Sequence, residues 1–322
     1  MKSLLSALVS RSDGRSVFVI TGPTAVGKSL LGAEFADMIG GEVVSADSMQ
    51  VYKLMDIGTA KPPVAEMRGV RHHMLDIVPP WEDYSVARYV SDAAHSVDGI
   101  LMRGKKAVIV GGTGLYIDSL LAGRVFSAKG DASLRRELES EYDAAGGSAL
   151  LRLLGEFDPQ AAARLHPNDK KRIVRAIEVF KTTGRPVSES DNESAALPPR
   201  YDAAKFALTV PDRGLLYERI DRRVDAMIGK GFEDEVRGLL DIGVPSAATA
   251  MQAIGYKEMA EALYGEYSVD EAILRIKTES RRYAKRQLTW LRSQYRSSVA
   301  GPESVAAAEN TPGGMGVEII SY

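Results

Sequence analysis

The sequence predicts an α/β fold, a largely parallel sheet into which a separate helical domain is inserted. Three observations predict it. Short apolar runs at residues 17–20, 42–46, 107–110 and 205–210 have the length of buried strands. Helical periodicity separates them, so strands and helices alternate as they do in a parallel sheet. Between residues 124 and 199 that alternation stops and only helical patterns remain.

Composition bounds the rest. The chain has 322 residues, enough for a full core and about two domains. A net charge of −2 excludes a uniformly basic nucleic-acid binder, so any such contact must come from local patches. The absence of cysteine excludes disulfides, thiolate metal sites and a cysteine nucleophile, and it fits a cytoplasmic location. No apolar run reaches the roughly 18 residues of a membrane span. Residues 1–9 carry one lysine and a few leucines, but Arg11 and Asp13 interrupt them, so a loose tail is expected. A weakly ordered tail is also expected over residues 299–322, with a short strand near 316–320.

The first strand runs straight into Gly22-Pro-Thr-Ala-Val-Gly-Lys-Ser29, and Leu31, Phe35, Met38 and Ile39 then follow helical spacing. This is G-x-x-x-x-G-K-S in the strand–loop–helix setting its chemistry requires, which predicts a P-loop NTPase-like core. The glycines let backbone N–H groups curl around a phosphate, and the helix start adds partial positive charge. Lys28 is expected to reach the outer phosphates and the Ser29 hydroxyl to hold Mg²⁺. An incidental glycine-rich turn is the competing explanation, and motif and context together oppose it. The loop implies a phosphate chain without specifying ATP.

The second strand ends at Asp47. Ligands in open α/β sheets sit beyond the carboxyl ends of strands, which would bring Asp47 near the loop. An aspartate capping the next helix is an equal alternative on position alone. His72 and His73 are neighbours that point apart on a strand and lack an evident third ligand, so a structural role is expected. A helix is predicted over residues 84–102. The strand after it closes in Gly111-Gly112-Thr113-Gly114, where a phosphate-hydrolysing P-loop enzyme would carry a Mg²⁺-binding aspartate. Glycines there signal close approach of a ligand or another stretch of chain.

Within the insertion, helices are predicted over residues 133–144, 149–157 and 169–182, followed by a polar, turn-rich return over 188–199. The third helix carries Lys170, Lys171, Arg172, Arg175 and Lys181. After the sheet resumes, Leu216, Ile220, Val224 and Ile228 mark a helix with Arg219 and Arg223 four apart on one side. Further helices are expected over 232–240 and 250–263. A last long helix begins near Asp270, with Ile273, Ile276, Ala284, Leu288 and Leu291 on its buried side. Its remaining face is basic, and Tyr283 and Trp290 either stack on bases or belong to the core.

These pieces resemble the tRNA dimethylallyltransferases, also called tRNA isopentenyltransferases. The resemblance rests on Gly22 to Ser29, Ser45-Ala-Asp-Ser-Met-Gln-Val-Tyr52, Met55-Asp-Ile-Gly-Thr-Ala-Lys-Pro62 and His72-His-Met-Leu-Asp76. It continues through Val110-Gly-Gly-Thr-Gly-Leu-Tyr116, His166-Pro-Asn-Asp169, Ile254-Gly-Tyr256 and Ala284-Lys-Arg-Gln-Leu-Thr-Trp290, in family order. Leu54 replaces a glycine common in the family. The zinc-binding extension of eukaryotic members is not seen, so the compact bacterial type is expected.

The resemblance implies transfer of a dimethylallyl group from dimethylallyl diphosphate to N6 of adenosine-37, beside the anticodon of tRNA. It implies that residues Gly22, Pro23, Thr24, Ala25, Val26, Gly27, Lys28 and Ser29 hold the donor's diphosphate with Mg²⁺. Arg223 occupies the diphosphate-binding position of the pattern Ile220-Asp-Arg-Arg223, and Thr24 stands near the leaving oxygen. Asp47 becomes the catalytic carboxylate that orients the N6 amine and takes its proton. The implied tRNA contacts are Asp47, Ser48, Met49, Gln50 and Thr113 in the core, and Arg135, Lys171, Arg172, Ile173, Val174 and Arg175 in the insertion. Gln252, Gly255, Tyr256, Lys257, Arg281, Lys285, Arg286, Gln287 and Trp290 complete the set. The partners expected are thus tRNA through its anticodon stem-loop and dimethylallyl diphosphate, with a monomeric chain and no membrane. The expected boundaries are 14–123 and 201–298 for the core, 124–200 for the insertion and 299–322 for the tail. A P-loop small-molecule or nucleoside kinase is the rival; it leaves the basic helices and the insertion unexplained.

Overall fold

The computed structural model describes residues 14–124, 126, 130–210, 212–295 and 318–321. The tail expected at residues 1–9 lies outside the described residues, as does the one expected at 299–322 apart from residues 318–321. The chain divides into two compact units, one formed by residues 1–121 with 201–322 and the other by residues 122–200.

The first unit opens with β1 (Val17–Thr21), α1 (Lys28–Met38), β2 (Gly41–Ser45) and the two-residue β3 (His72–His73). Next come α2 (Val86–Met102), β4 (Lys106–Gly111) and α3 (Gly114–Ala122). Alternation along β1 builds both layers of the core. Phe18 and Ile20 face α1, where Phe18 meets Phe35 edge to face with centroids 5.3 Å apart. Val17 and Val19 join Val44, Ala107 and Ile109 against Tyr89 and Val97 of α2. Ser85 caps α2 by accepting a hydrogen bond from the Arg88 amide, which puts its start just inside the predicted span.

The second unit is helical: α4 (Ala132–Ala145), α5 (Gly147–Phe157), α6 (Pro159–Arg164), α7 (Lys170–Thr183) and α8 (Val187–Ala196). It has its own core of Leu138, Leu150, Leu154, Ile173 and Ile177, beside a stacked Phe157–Phe180 pair. The stretch expected to be a turn-rich return is instead α8. No local side chain caps it. Asp158, 1% exposed, caps it from a distance: its Oδ2 accepts from the Ser188 amide at 3.0 Å while its Oδ1 caps α6 through the Ala161 amide at 2.9 Å.

The first unit resumes with β5 (Ala203–Thr209), two residues ahead of its predicted start, then α9 (Arg213–Gly229) and α10 (Phe232–Asp241). The single helix expected over 250–263 is broken. A short 3₁₀ turn, Ala250–Gln252, precedes α11 (Tyr256–Leu263), and Gly255 between them has φ 99°, a conformation that L side chains avoid. The long α12 (Val269–Tyr295) and β6 (Glu318–Ser321) complete the unit.

The strand order is β3-β2-β4-β1-β5-β6. The first five strands are parallel, and β6 joins the edge antiparallel to β5. Among the described residues, no helix is long and apolar enough to cross a membrane. The two histidines are structural: His73 Nε2 lies 2.7 Å from Glu42 Oε2, and His72 Nδ1 lies 2.9 Å from the Val70 carbonyl.

Candidate active site

At the carboxyl ends of the strands lies a cavity of about 310 Å³. Loops after β1 and β2 and the end of β4 form part of its wall. Further wall comes from one face of α9, with Ile220, Arg223, Val224 and Met227, one face of α12, with Ile276, Ser280, Tyr283 and Gln287, and from Phe232 of α10 and residues 252–256. The α9 and α12 sets recur at helical spacing, so each of these helices presents a single stripe to the cavity. Two ion pairs set these helices antiparallel: Arg281 grips both carboxylate oxygens of Asp221, and Lys277 Nζ lies 2.6 Å from Asp225 Oδ1.

One end of the cavity is charged. Lys28 donates to the Pro23 carbonyl at 2.7 Å, and Arg223 Nη1 donates to Thr24 Oγ1 at 2.8 Å. Burial, reinforced by the neighbouring Arg223 charge, lowers the Lys28 pKa from 10.5 to about 7, against the opposing pull of Asp47. Burial also lowers the pKa of Arg223, again opposed by Asp47. Two cations that are costly to desolvate therefore face one carboxylate, an arrangement suited to receiving an anion. Val224, Met227, Phe232 and Ile276 supply apolar wall.

Asp47 borders the cavity as its strand-end position predicts, but no helix follows for it to cap, and it caps a turn instead. Its Oδ1 caps the turn after β2, accepting from the Met49 amide at 2.9 Å and the Gln50 amide at 3.3 Å. Among the described residues nothing donates to Oδ2, and Asp47 borders the cavity. Thr113 lies behind that wall, its Oγ1 accepting from the Ser48 amide at 3.2 Å. Tyr283 faces the same space, and burial together with the Asp47 charge raises its pKa to about 12, so its phenol stays protonated.

The loop residues divide between two cavities. Thr24, Lys28 and Ser29 line the first. Ala25 and Gly27 line a second, of about 470 Å³, which shares Lys28, Ser29 and Arg223 with the first and adds Arg219 and Arg222. Gly22, Pro23 and Val26 are buried. Ser29 is the one predicted metal contact. Among the described residues no group of three or more His, Asp or Glu could hold a metal ion. A single hydroxyl at the helix start fits a hydrated Mg²⁺ that takes its other ligands from phosphate and water.

Of the predicted tRNA contacts in this unit, Ser48, Met49, Gln50, Gln252, Gly255, Tyr256, Arg286 and Gln287 border the first cavity. Lys257 and Lys285 are exposed outside it. Several of the expected contacts have internal partners. Arg281 is held by Asp221, Gln50 Nε2 donates to the Thr59 carbonyl at 3.3 Å, and Trp290 Nε1 donates to Asp118 Oδ2 at 2.9 Å. In the insertion, Arg135 and Arg175 converge on the fully buried Glu178, at 3.0 and 2.9 Å. Lys171 and Arg172 are exposed, whereas Ile173 and Val174 belong to that unit's core and can serve only by holding the helix.

Sequence inspection missed Glu235. Its carboxylate accepts from the amides of Asp56, Ile57 and Gly58 and from the Tyr256 hydroxyl, at 2.5–3.0 Å. It thereby fixes the loop whose Gly58, Thr59 and Ala60 border the cavity. An acidic residue in the first turn of α10 is an ordinary helix-start preference, so nothing local set it apart.

The family model described as IPP transferase matches residues 50–294, and that described as Isopentenyl transferase matches residues 15–82. A tRNA dimethylallyltransferase of Geobacter metallireducens is 51% identical over 274 residues, covering 85% of this chain and 88% of that protein. Its counterpart in Caldanaerobacter subterraneus is 48% identical over 279 residues, covering 86% and 89%. Among solved structures, a tRNA isopentenylpyrophosphate transferase of Bacillus halodurans aligns with TM-score 0.61 and 42% identity over 86% of this chain and 87% of that one. A eukaryotic dimethylallyltransferase acting on tRNA aligns with TM-score 0.73 and 32% identity, covering 86% and 70%. With a family model spanning most of its length and relatives near half identity over about 85% of it, the chain belongs to the IPP transferase family.

Proposed function

We propose that the chain transfers a dimethylallyl group from dimethylallyl diphosphate to N6 of adenosine-37 in tRNA. The observation that carries this is the cavity itself, which sets Lys28, Arg223 and Thr24 at a charged end beside Asp47, with apolar wall adjoining. Family membership agrees with it.

The allylic C–O bond breaks and its electron pair leaves with the diphosphate. Stabilising that growing negative charge is the main electrostatic task. The loop amides, Lys28 and Arg223 meet it. Mg²⁺ held by Ser29 and the phosphate oxygens would neutralise further charge on the leaving group. The N6 amine is a weak nucleophile because its lone pair is delocalised into the ring. As the C–N bond forms, Asp47 orients the amine and accepts its proton through the free Oδ2. The target base must leave its stack to reach the cavity, where Gln252 and Arg286 receive it. Lys171 and Arg172 bind the phosphate backbone of the anticodon stem-loop. The enzyme acts as a cytoplasmic monomer.

The test mixes the protein with labelled dimethylallyl diphosphate, Mg²⁺ and unmodified tRNA, without ATP. Label appearing in tRNA is the expected result. Phosphoryl transfer from ATP with no prenyl transfer would overturn the assignment in favour of a kinase.

A further inference from the structure

Gln287 was expected at the tRNA surface, yet its side chain is 7% exposed and both of its ends are occupied by the protein's own backbone. Its carbonyl oxygen accepts from the Thr24 amide at 2.8 Å, and its amide nitrogen donates to the Gly112 carbonyl at 3.0 Å. One side chain from α12 therefore ties the phosphate-binding loop to the end of β4. The approach is so close that a Cβ on Gly112 would fall 2.2 Å from Gln287 Nε2. One turn further along α12, the Trp290 ring lies where a Cβ on Gly114 would sit. Gly112 and Gly114 are explained by this contact, with Gln287 and Trp290 pressed against them, whereas Gly111 makes room for the Ala46 backbone.

Thr24 is held from a second direction through its hydroxyl by Arg223. Its amide, directed at Gln287, is not offered to a phosphate.

We propose that Gln287 is a positioning residue for the phosphate-binding loop: through Thr24 it fixes the loop in the shape that receives a diphosphate. The inference rests on the donor assigned above. It is measured on diphosphate alone, so the two can fail separately.

The experiment titrates inorganic diphosphate with Mg²⁺ into the full chain by calorimetry. The variants are Gln287→Met, which keeps the shape and loses both hydrogen bonds, Gly112→Ala, which pushes the amide aside without removing it, and the pair combined. Each single variant is expected to weaken diphosphate binding about tenfold, the scale of one buried hydrogen bond. The double variant should be no weaker than either, because both act on one contact. In steady state the donor KM rises while the tRNA KM stays within about twofold of the parent. A raised tRNA KM with unchanged diphosphate affinity would overturn the proposal and return Gln287 to the tRNA surface. Additive losses in the double variant would overturn it as well. If prenyl transfer is absent but the diphosphate pattern holds, the positioning role stands and the donor assignment falls.

Discussion

Replacing Glu235 by alanine tests how the cavity's loop is held. The carboxylate accepts four hydrogen bonds, from the amides of Asp56, Ile57 and Gly58 and from the hydroxyl of Tyr256. The Asp56 amide is exposed, and water replaces most of what it loses. The Ile57 and Gly58 amides are partly buried and Tyr256 is fully buried, so three donors are left without a partner. Hydrogen bonds to a charged group contribute about 1.5–3 kcal/mol each, and the lower figure suits a half-exposed carboxylate. Glu235→Ala should thus destabilise this unit by about 4 kcal/mol, and Glu235→Gln, which keeps an acceptor oxygen, by about half as much. The assay is urea unfolding at neutral pH followed by tryptophan fluorescence. Trp81 and Trp290 are the chain's only tryptophans and both lie in the first unit, so the signal reports that unit alone. A loss below about 1 kcal/mol for the alanine variant would show that water replaces the carboxylate freely and would refute the reasoning.

Three further outcomes are expected. Asp47→Asn keeps an oxygen for the Met49 and Gln50 amides, so the turn survives while prenyl transfer falls at least about a hundredfold; a normal turnover number would remove Asp47 as proton acceptor. Lys28 titrates near 7 in the free enzyme, and a bound diphosphate favours its charged form. Diphosphate affinity therefore falls as pH rises above that value, and binding in alkaline buffer takes up about one proton, measurable by calorimetry in buffers of different protonation enthalpy; pH-independent binding would contradict this. Glu42 lies at the opposite end of the sheet from the cavity. Its burial opposes the charged form, but His73, Lys105 and Arg103 outweigh that and lower its pKa from 4.5 to about 2. A depressed carboxylate stabilises the fold above the unfolded value and ceases to as pH falls through the folded one. Glu42→Gln should accordingly cost about 3 kcal/mol at neutral pH, a deficit that shrinks between pH 4.5 and about 2; a deficit constant over that window would refute the linkage.

The parts of this molecule legible in its sequence are those where local pattern and tertiary role coincide. Val17 to Ile20 leads to a loop whose chemistry is written in adjacent residues, and Asp47 sits where strand ends meet ligands. The helix α8 was not legible because its amide finds its cap in Asp158, thirty positions upstream, and its polar surface carries no apolar period. The inward bonds of Gln287 were not legible because a polar residue on a basic helix gives no sign of facing inward until β1 and β4 are seen beneath it. The glycines at 112 and 114 did signal a close approach, but one strand end cannot say what approaches it. Trp290 was open between base stacking and core, and its bond to Asp118 and contact with Gly114 place it against the fold.

The helical unit enters and leaves at one place. A Cβ on Gly123, just inside its start, would meet the Arg200 Cβ at its end at 3.2 Å. The two backbone points are neighbours, so a few residues can bridge them, and the entropy of closing so short a gap is small. Among the described residues, its core of Leu138, Leu150, Leu154 and Ile177 is built from its own side chains. Such a unit is a cassette in the genetic sense: it can be gained, shortened or exchanged by joining two adjacent points, with no strand re-threaded. Divergence in this part of the chain can therefore proceed without rebuilding the sheet that carries the phosphate-binding loop.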